Sequence, residues 1–407
     1  HFLNKISNSM NLNKISKKKL NSNKFLSQFN KTALYAAVEA GNQKIVDILL
    51  SYPTIEIGDH EFDGCTSLSD LTIPSTVTRI GDFAFFGCSK LRRVVIPSSV
   101  TKIGQKAFKG CTSLREIKIP ESVTTIELAT FKGCKSLCDI TLPPTLTTIG
   151  TSAFEACTSL KQIVIPCSVV VIGNSAFYEC KSLSDINIPE SVKEIEEYAF
   201  DGCCSLKTFT IPHSVTKINK FTFWLCTSLE ILNVHDDINF IGDYALKGCT
   251  SLQNFDIPRS VTFIGEGALQ GCPLLKELNI PDGVKSISTN CFLGCSSLTQ
   301  LSIPSSVTEI GKYSFWLCIS LPKLEIPDTV TSIGEFAFKE CSSLTEISIP
   351  STVTSIGEGA FRGCTHLGKV SIPEAIGSID RLEIPKRPKL QGFKNILFFF
   401  KYKLGMM

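Results

Sequence analysis

Eighteen cysteines and five histidines are the residues of this 407-residue chain whose chemistry could go beyond packing. Thiols could ligate a metal, pair as disulfides or act as nucleophiles, and imidazoles could hold the same metal or serve as bases. Metal ligation wants a Cys-x-x-Cys pair or clustered histidines. The near misses are Cys134-x-x-x-Cys138 and Cys291-x-x-x-Cys295, and His1, His60, His213, His235 and His366 are scattered along the chain. A nucleophile needs an adjacent base and a third group to orient it, and no such constellation stands out. The glycines occupy turn positions and form no phosphate loop. The expectation is therefore no catalytic residue, no metal ligand and no cofactor, and a protein that is not an enzyme.

What positions the cysteines is a repeat. Cys recurs at 65, 88, 111, 134, 157, 180, 203, 226, 249, 272, 295, 318, 341 and 364, always 23 residues apart. Leu stands third after each of them, from Leu68 to Leu367, and Ile fifteenth, from Ile80 to Ile379. Pro stands ninth from Pro74 to Pro373, with His235 the one exception. Phe precedes each Cys by three residues (Phe62, Phe85, Phe108 and onward), with Leu246 and Leu269 as substitutes. Few positions copied many times also explain why 27 Phe and 18 Cys stand against 3 Met and 2 Trp.

Each fixed position has a physical reading. Leu-x-x-Ile-x-Ile ends in a period-two alternation, so its last two apolar residues share one face of a short strand. The Pro that follows cannot donate to a ladder and stops the strand. Val-Thr-x-Ile-Gly is a second extended piece whose Gly permits the next turn. Ala-Phe-x-Gly-Cys reads as a tight, partly helical turn with Phe plugging the interior. One copy leaves its apolar flanks in water, and stacked copies bury them and pair strands in parallel. The predicted fold is a repeat solenoid. Its fourteen Cys would form an inward column of free thiols behaving as small hydrophobes, poorly aimed at one another for disulfides. Cys138, Cys167, Cys204 and Cys291 lie off that column and are expected to be the reactive ones.

These residues resemble the leucine-rich repeat superfamily in its BspA-like, or treponemal, class. That class has a 23-residue unit with Leu-x-x-Ile-x-Ile-Pro, then Val-x-x-Ile-Gly-x-x-Ala-Phe and Cys, and the likeness here runs over 54–380. Departures are mild: Glu127, Glu196, Asn219, Ser288 and Asp380 replace the turn Gly, and Val234-His235 replaces Ile-Pro. The resemblance implies a surface-protein family of bacteria and protozoan parasites, associated with adhesion to host matrix proteins and other cells.

The ends differ from the body. Residues 32–53 contain Thr32-Ala-Leu-Tyr-Ala-Ala-Val-Glu-Ala-Gly41 and the apolar Ile45, Val46, Leu49 and Leu50, which together resemble a single ankyrin unit. Such a unit cannot bury its own face, so it is expected to dock as a helical cap on the solenoid at 54–380 or to end a longer array. Residues 1–31 hold seven Lys and no acid and are expected to be disordered. Residues 381–407 are a degraded repeat and basic, apolar tail with seven basic residues and one acid. Because residue 1 is His, the sequence reads as a fragment. No secretory signal is legible in 1–31, and Ile396–Phe400 is far short of the ~20 apolar residues a membrane span needs. The tails are expected to touch anionic membrane surfaces weakly at most. The body, 32–380, carries 27 basic and 37 acidic residues, which argues against nucleic acid as a partner.

What remains for function is surface. The position between the two final strand apolars faces outward, and in the middle copies it reads Lys118, Thr141, Asn187, Thr210, Asn233, Asp256 and Asn279. This polar stripe is the predicted protein-binding face, suited to weak or multivalent contacts because aromatic anchors are absent from it. The expected partners are proteins: host matrix or cell-surface proteins if the chain is an adhesion or surface-antigen type protein, cellular proteins if it is an intracellular ankyrin and leucine-rich-repeat scaffold. The resemblance leans toward the cell surface. Unpaired Cys, the unread signal and a lone sequon outside the repeat, Asn30-Lys31-Thr32, lean inward.

Overall fold

The computed structural model describes residues 56–373, 376 and 379–384. The basic tail 1–31, the ankyrin-like unit at 32–53 and the tail beyond 384 lie outside them. Each 23-residue repeat becomes one turn of a parallel β-solenoid of about fourteen turns. Contacts group the turns into two compact units. One runs to Ile238 and includes Gly248–Thr250, and the other consists of Asn239–Lys247 with the chain from Ser251.

A turn has three faces. The first is a three-residue strand such as Asp70–Thr72 or Asp139–Thr141, whose middle residue is buried and whose outer two are exposed. In the first unit, the strands Asp70–Thr72, Arg93–Val95, Glu116–Lys118 and Asp139–Thr141 make one sheet, with Glu116 opposite Asp139 and Lys118 opposite Thr141. In the second, Glu277–Asn279 pairs with Gln300–Ser302 in the same in-register way. The Pro that follows does more than stop the strand. Its carbonyl accepts the amide of the residue three on, as in Val77 to Pro74 at 3.0 Å, and so closes a tight turn. Ser or Thr two residues after Pro donates to the neighbouring turn's backbone, Ser99 Oγ to the Val77 carbonyl at 2.7 Å, for example.

The second face is a two-residue strand, such as Thr148–Ile149 beside Val171–Ile172. The Gly that ends it was expected to supply a permissive backbone, but its reason is close approach. A Cβ at Gly81 would sit 2.5 Å from the Asp59 amide nitrogen. Where the repeat departs from Gly, the side chain reaches the backbone behind it: Asn219 Nδ2 donates to the Ile195 carbonyl at 2.7 Å, and Ser288 Oγ to that of Ile264.

The third face corrects the expectation of a partly helical turn. No α-helix occurs among the described residues. Left-handed residues stand at both ends of the turn, Phe83 at φ 56° and Gly87 at φ 69°, and interrupt a helix before it can propagate. The amides of Phe83, Phe85 and Gly87 are thereby left to donate to Gln105, Ala107 and Lys109 of the next turn at 2.7–2.9 Å. The same pairing ends the described chain. Gly359 and Phe361 donate to Arg381 and Leu382 of a 3-10 segment, Ile379–Leu382, whose Leu382 is buried.

Inside each unit the side chains form columns. Phe rings of successive turns lie parallel, from 5.1 Å between Phe62 and Phe85 to 5.8 Å between Phe200 and Phe223, all fully buried. In the second unit, Phe292, Phe315, Phe338 and Phe361 continue the pattern at 5.4–5.5 Å. The repeat Cys are buried free thiols, as expected, but they are more than small hydrophobes. From Cys88 to Cys364 each Sγ donates to the carbonyl 26 residues earlier, a Phe in most turns, as in Cys88 to Phe62 at 3.0 Å and Cys364 to Phe338 at 3.1 Å, and Leu246 or Leu269 for Cys272 and Cys295. Desolvation pushes the thiols of Cys180, Cys295 and Cys364 up to about 12, so these three stay protonated and able to donate.

Candidate functional site

The stacked columns hold the outer positions of each strand at fixed register. In the first unit this presents Lys118, Thr141, Asn187, Thr210 and Asn233 on exposed strand positions. Lys118 stands directly opposite Thr141, and Asn233 Nδ2 donates to Thr210 Oγ1 at 3.0 Å. Val164, the partner of Asn187, is 82% exposed and makes this the most apolar point of the stripe. In the second unit, Asn279 is exposed on its strand opposite Ser302. Asp256 is exposed as well, but it does not lie on a strand as expected: its segment carries only a single bridge, at Asn254.

The aromatic groups missing from the stripe are on the turn face. Five residues before each Cys the chain enters the left-handed region, and in six described turns the residue there is Phe or Tyr: Phe83, Tyr198, Phe221, Tyr244, Tyr313 and Phe336. These rings stack from turn to turn, Tyr198 on Phe221 at 4.5 Å in the first unit and Tyr313 on Phe336 at 5.4 Å in the second. Tryptophans tilt against them, Trp224 on Phe221 and Trp316 on Tyr313. Lysine ammonium groups lie over the rings, Lys106 on Phe83 at 4.8 Å and Lys339 on Trp316 at 4.4 Å. In the second unit the ladder of rings stops at Tyr313, because the preceding turn offers the shorter Asn290. An open groove of about 370 Å³ results, lined by Thr289, Asn290, Tyr313, Trp316, Phe336 and Lys339. The sequence signal was available at the same 23-residue spacing. It was hidden because the position varies among aromatic residues, His, Lys, Ala, Ser, Asn and Gly.

The reactive groups divide differently from the expectation. Cys291 is fully buried, and burial raises its thiol well above the usual range, so it belongs with the inert column. Cys204 is half-buried, and only Cys138 and Cys167 are exposed. In the first unit Asp201 is buried with Oδ2 lacking a hydrogen-bond partner among the described residues. Burial, with Glu179 adding to it, lifts that carboxyl to about 7. Histidines that read as scattered also meet: the rings of His213 and His235 lie 4.5 Å apart, because 22 residues of sequence is one turn less one position.

No curated protein matches the chain. Among solved structures, a leucine-rich repeat protein from Bacteroides ovatus is 32% identical, with 84% of this chain and 88% of that one covered at a TM-score of 0.65. A leucine rich cell surface protein from Faecalibacterium prausnitzii is 29% identical, with 83% of this chain and 88% of that one covered at a TM-score of 0.48. A family model described as the BspA type leucine rich repeat region matches residues 55–183, 170–299 and 264–384. These are the turns built from the Cys, Phe and Leu columns, and the chain belongs to the BspA-type leucine-rich repeat family.

Proposed function

We propose that this protein is a non-enzymatic, adhesion-type binding solenoid whose partner is a protein held across several turns. The observation that carries the reading is the turn face of the second unit, where half-exposed Tyr313, Trp316 and Phe336 line an open groove beside Lys339. Aromatic side chains on a rigid backbone are the usual anchors of protein interfaces, and Lys339 adds a cation at the groove. The strand stripe contributes weaker, additive contacts through Lys118, Thr141, Asn187, Thr210 and Asn233 in the first unit and Asp256 and Asn279 in the second. Many shallow contacts at fixed spacing favour multivalent capture. Family membership supports the same class of function.

The test is binding of the full chain to a panel of purified extracellular-matrix proteins. Trp316→Ala together with Tyr313→Ala is expected to abolish capture, and Lys118→Glu with Asp256→Lys to weaken it, all with unchanged folding. Capture that is the same in both double variants would sink the assignment of these surfaces.

A second reading, an intracellular scaffold, is favoured by the eighteen free thiols, since Cys138 and Cys167 are exposed and would be oxidisable outside the cell. The ankyrin-like segment at 32–53 would be its second binding module. Alkylation of denatured protein recovered from its native cells separates the two readings. Eighteen trapped thiols favour the scaffold, and a substantial disulfide content favours the surface protein.

A further inference from the structure

His235 is the one residue that replaces Pro at the ninth repeat position, and its backbone still does what Pro does there: its carbonyl accepts the Ile238 amide at 3.2 Å. The side chain is therefore free for another task. It is nearly buried, 8% exposed, and its Nε2 lies 2.9 Å from the Pro212 carbonyl oxygen. A carbonyl only accepts, so Nε2 carries the proton and Nδ1 presents its lone pair. Nδ1 also lies 3.5 Å from Asp237 Oδ2, and His213 Nδ1 stands 3.8 Å from the same oxygen. Donor atoms of all three side chains lie within 4.8 Å of one another.

We propose that His213, His235 and Asp237 form a binding site for a divalent transition-metal ion, zinc foremost. Two imidazoles and one carboxylate are borderline ligands of the kind zinc takes, whereas magnesium and calcium sites are built from oxygen. Zinc bonds of about 2.0–2.1 Å in a tetrahedron place ligand atoms about 3.3 Å apart, so the two contacts at Asp237 need to close by a few tenths of an ångström and the two imidazoles, within 4.8 Å, by up to about 1.5 Å, a turn that the exposed His213 ring can make. The Nε2–H to carbonyl bond of His235 is the outer-sphere contact that orients a metal-binding imidazole and fixes its tautomer. The Asp237 amide, which now donates to His235 Nδ1 at 3.3 Å, gives way to the ion. His213 is tied at its backbone, where its amide donates to Glu190 Oε2 at 2.9 Å. Its ring and the Asp237 carboxylate are 72% and 68% exposed, so the fourth position opens to solvent and takes water or a donor atom from another molecule.

The experiment titrates the full chain with Zn2+ alone against a chromophoric chelator and repeats the titration with Co2+ for its visible spectrum. One high-affinity ion per chain is expected, with tetrahedral cobalt bands and no thiolate charge-transfer band. His235→Pro restores the repeat residue, and His213→Ala alters an exposed side chain. Each is expected to lower affinity by about 10- to 100-fold or more without changing the melting transition. Should His235→Pro disturb folding, His213→Ala carries the test by itself. Undiminished binding in His213→Ala would overturn the site, as would a cobalt spectrum dominated by thiolate, which would put the ion on Cys138, Cys167 or Cys204.

Discussion

Two columns of aromatic rings run side by side through the turns, two residues apart in sequence. Phe200 belongs to the inner column and is fully buried, while Tyr198 belongs to the outer one and is half-exposed. Their stacking is alike, 5.8 Å from Phe200 to Phe223 and 4.5 Å from Tyr198 to Phe221. Their backbones are not. The outer residue sits in the left-handed region, φ 58° at Tyr198, where a side chain with a Cβ costs on the order of 1–2 kcal/mol. Ring stacking returns about 0.5–1.5 kcal/mol. The inner ring is therefore required by the core, whereas the outer ring is close to neutral for stability. Gly or Asn would suit its backbone as well, as Gly267 and Asn290 show at the same position. The identity of the outer ring is therefore not dictated by the core.

That contrast can be broken within a single turn. Phe200→Ala removes a ring packed on Phe177, Phe209 and Phe223, and is expected to cost about 3–5 kcal/mol in denaturant unfolding. An unchanged midpoint would contradict the stacked core. Asp201, next in sequence, sharpens the boundary between inside and outside. Its carboxyl rises from 3.8 to about 7, so across that window the folded unit keeps a proton that the unfolded chain releases. Stability from this group is thus greatest below pH 4, falls as pH rises and reaches its floor above pH 7. Asp201→Asn is expected to gain about 2–4 kcal/mol at pH 8 and almost nothing at pH 4. A constant difference between variant and parent over that range would show the carboxylate to be solvated. Tyr198→Asn should move stability least, within about 1 kcal/mol in either direction. A loss as large as that of Phe200→Ala would erase the distinction between the columns.

The inner column was legible in the sequence because burial admits few residue types, so Cys and Leu recur at every copy and Phe at all but Leu246 and Leu269. The turn that carries them was legible only in outline. Its left-handed ends accept Gly64, Ala156, Glu179 and Leu225 at one position alone, and so leave no fixed residue to read. The strand stripe could be placed because alternation alone puts Lys118 and Asn187 outside, but Asp256 shows that alternation does not guarantee a paired strand. The His213 and His235 pairing escaped because the two occupy neighbouring rather than equivalent repeat positions. Only the path of the chain around one turn brings them together. The exception at His235 was visible in the sequence, and its meaning lay in the turn beside it.

Within each unit, backbone amides on the turn face donate 22 residues ahead, and thiols reach 26 residues back, the same offsets from copy to copy. A gene of this build can lose or gain whole 23-residue segments by unequal recombination, and every surviving residue still finds its partner at the same offset. A single-residue insertion enjoys no such tolerance, since it displaces the turn behind it from both ladders at once. The number of turns can therefore change while the cross-section is held constant, so that length is separable from the surface each turn presents.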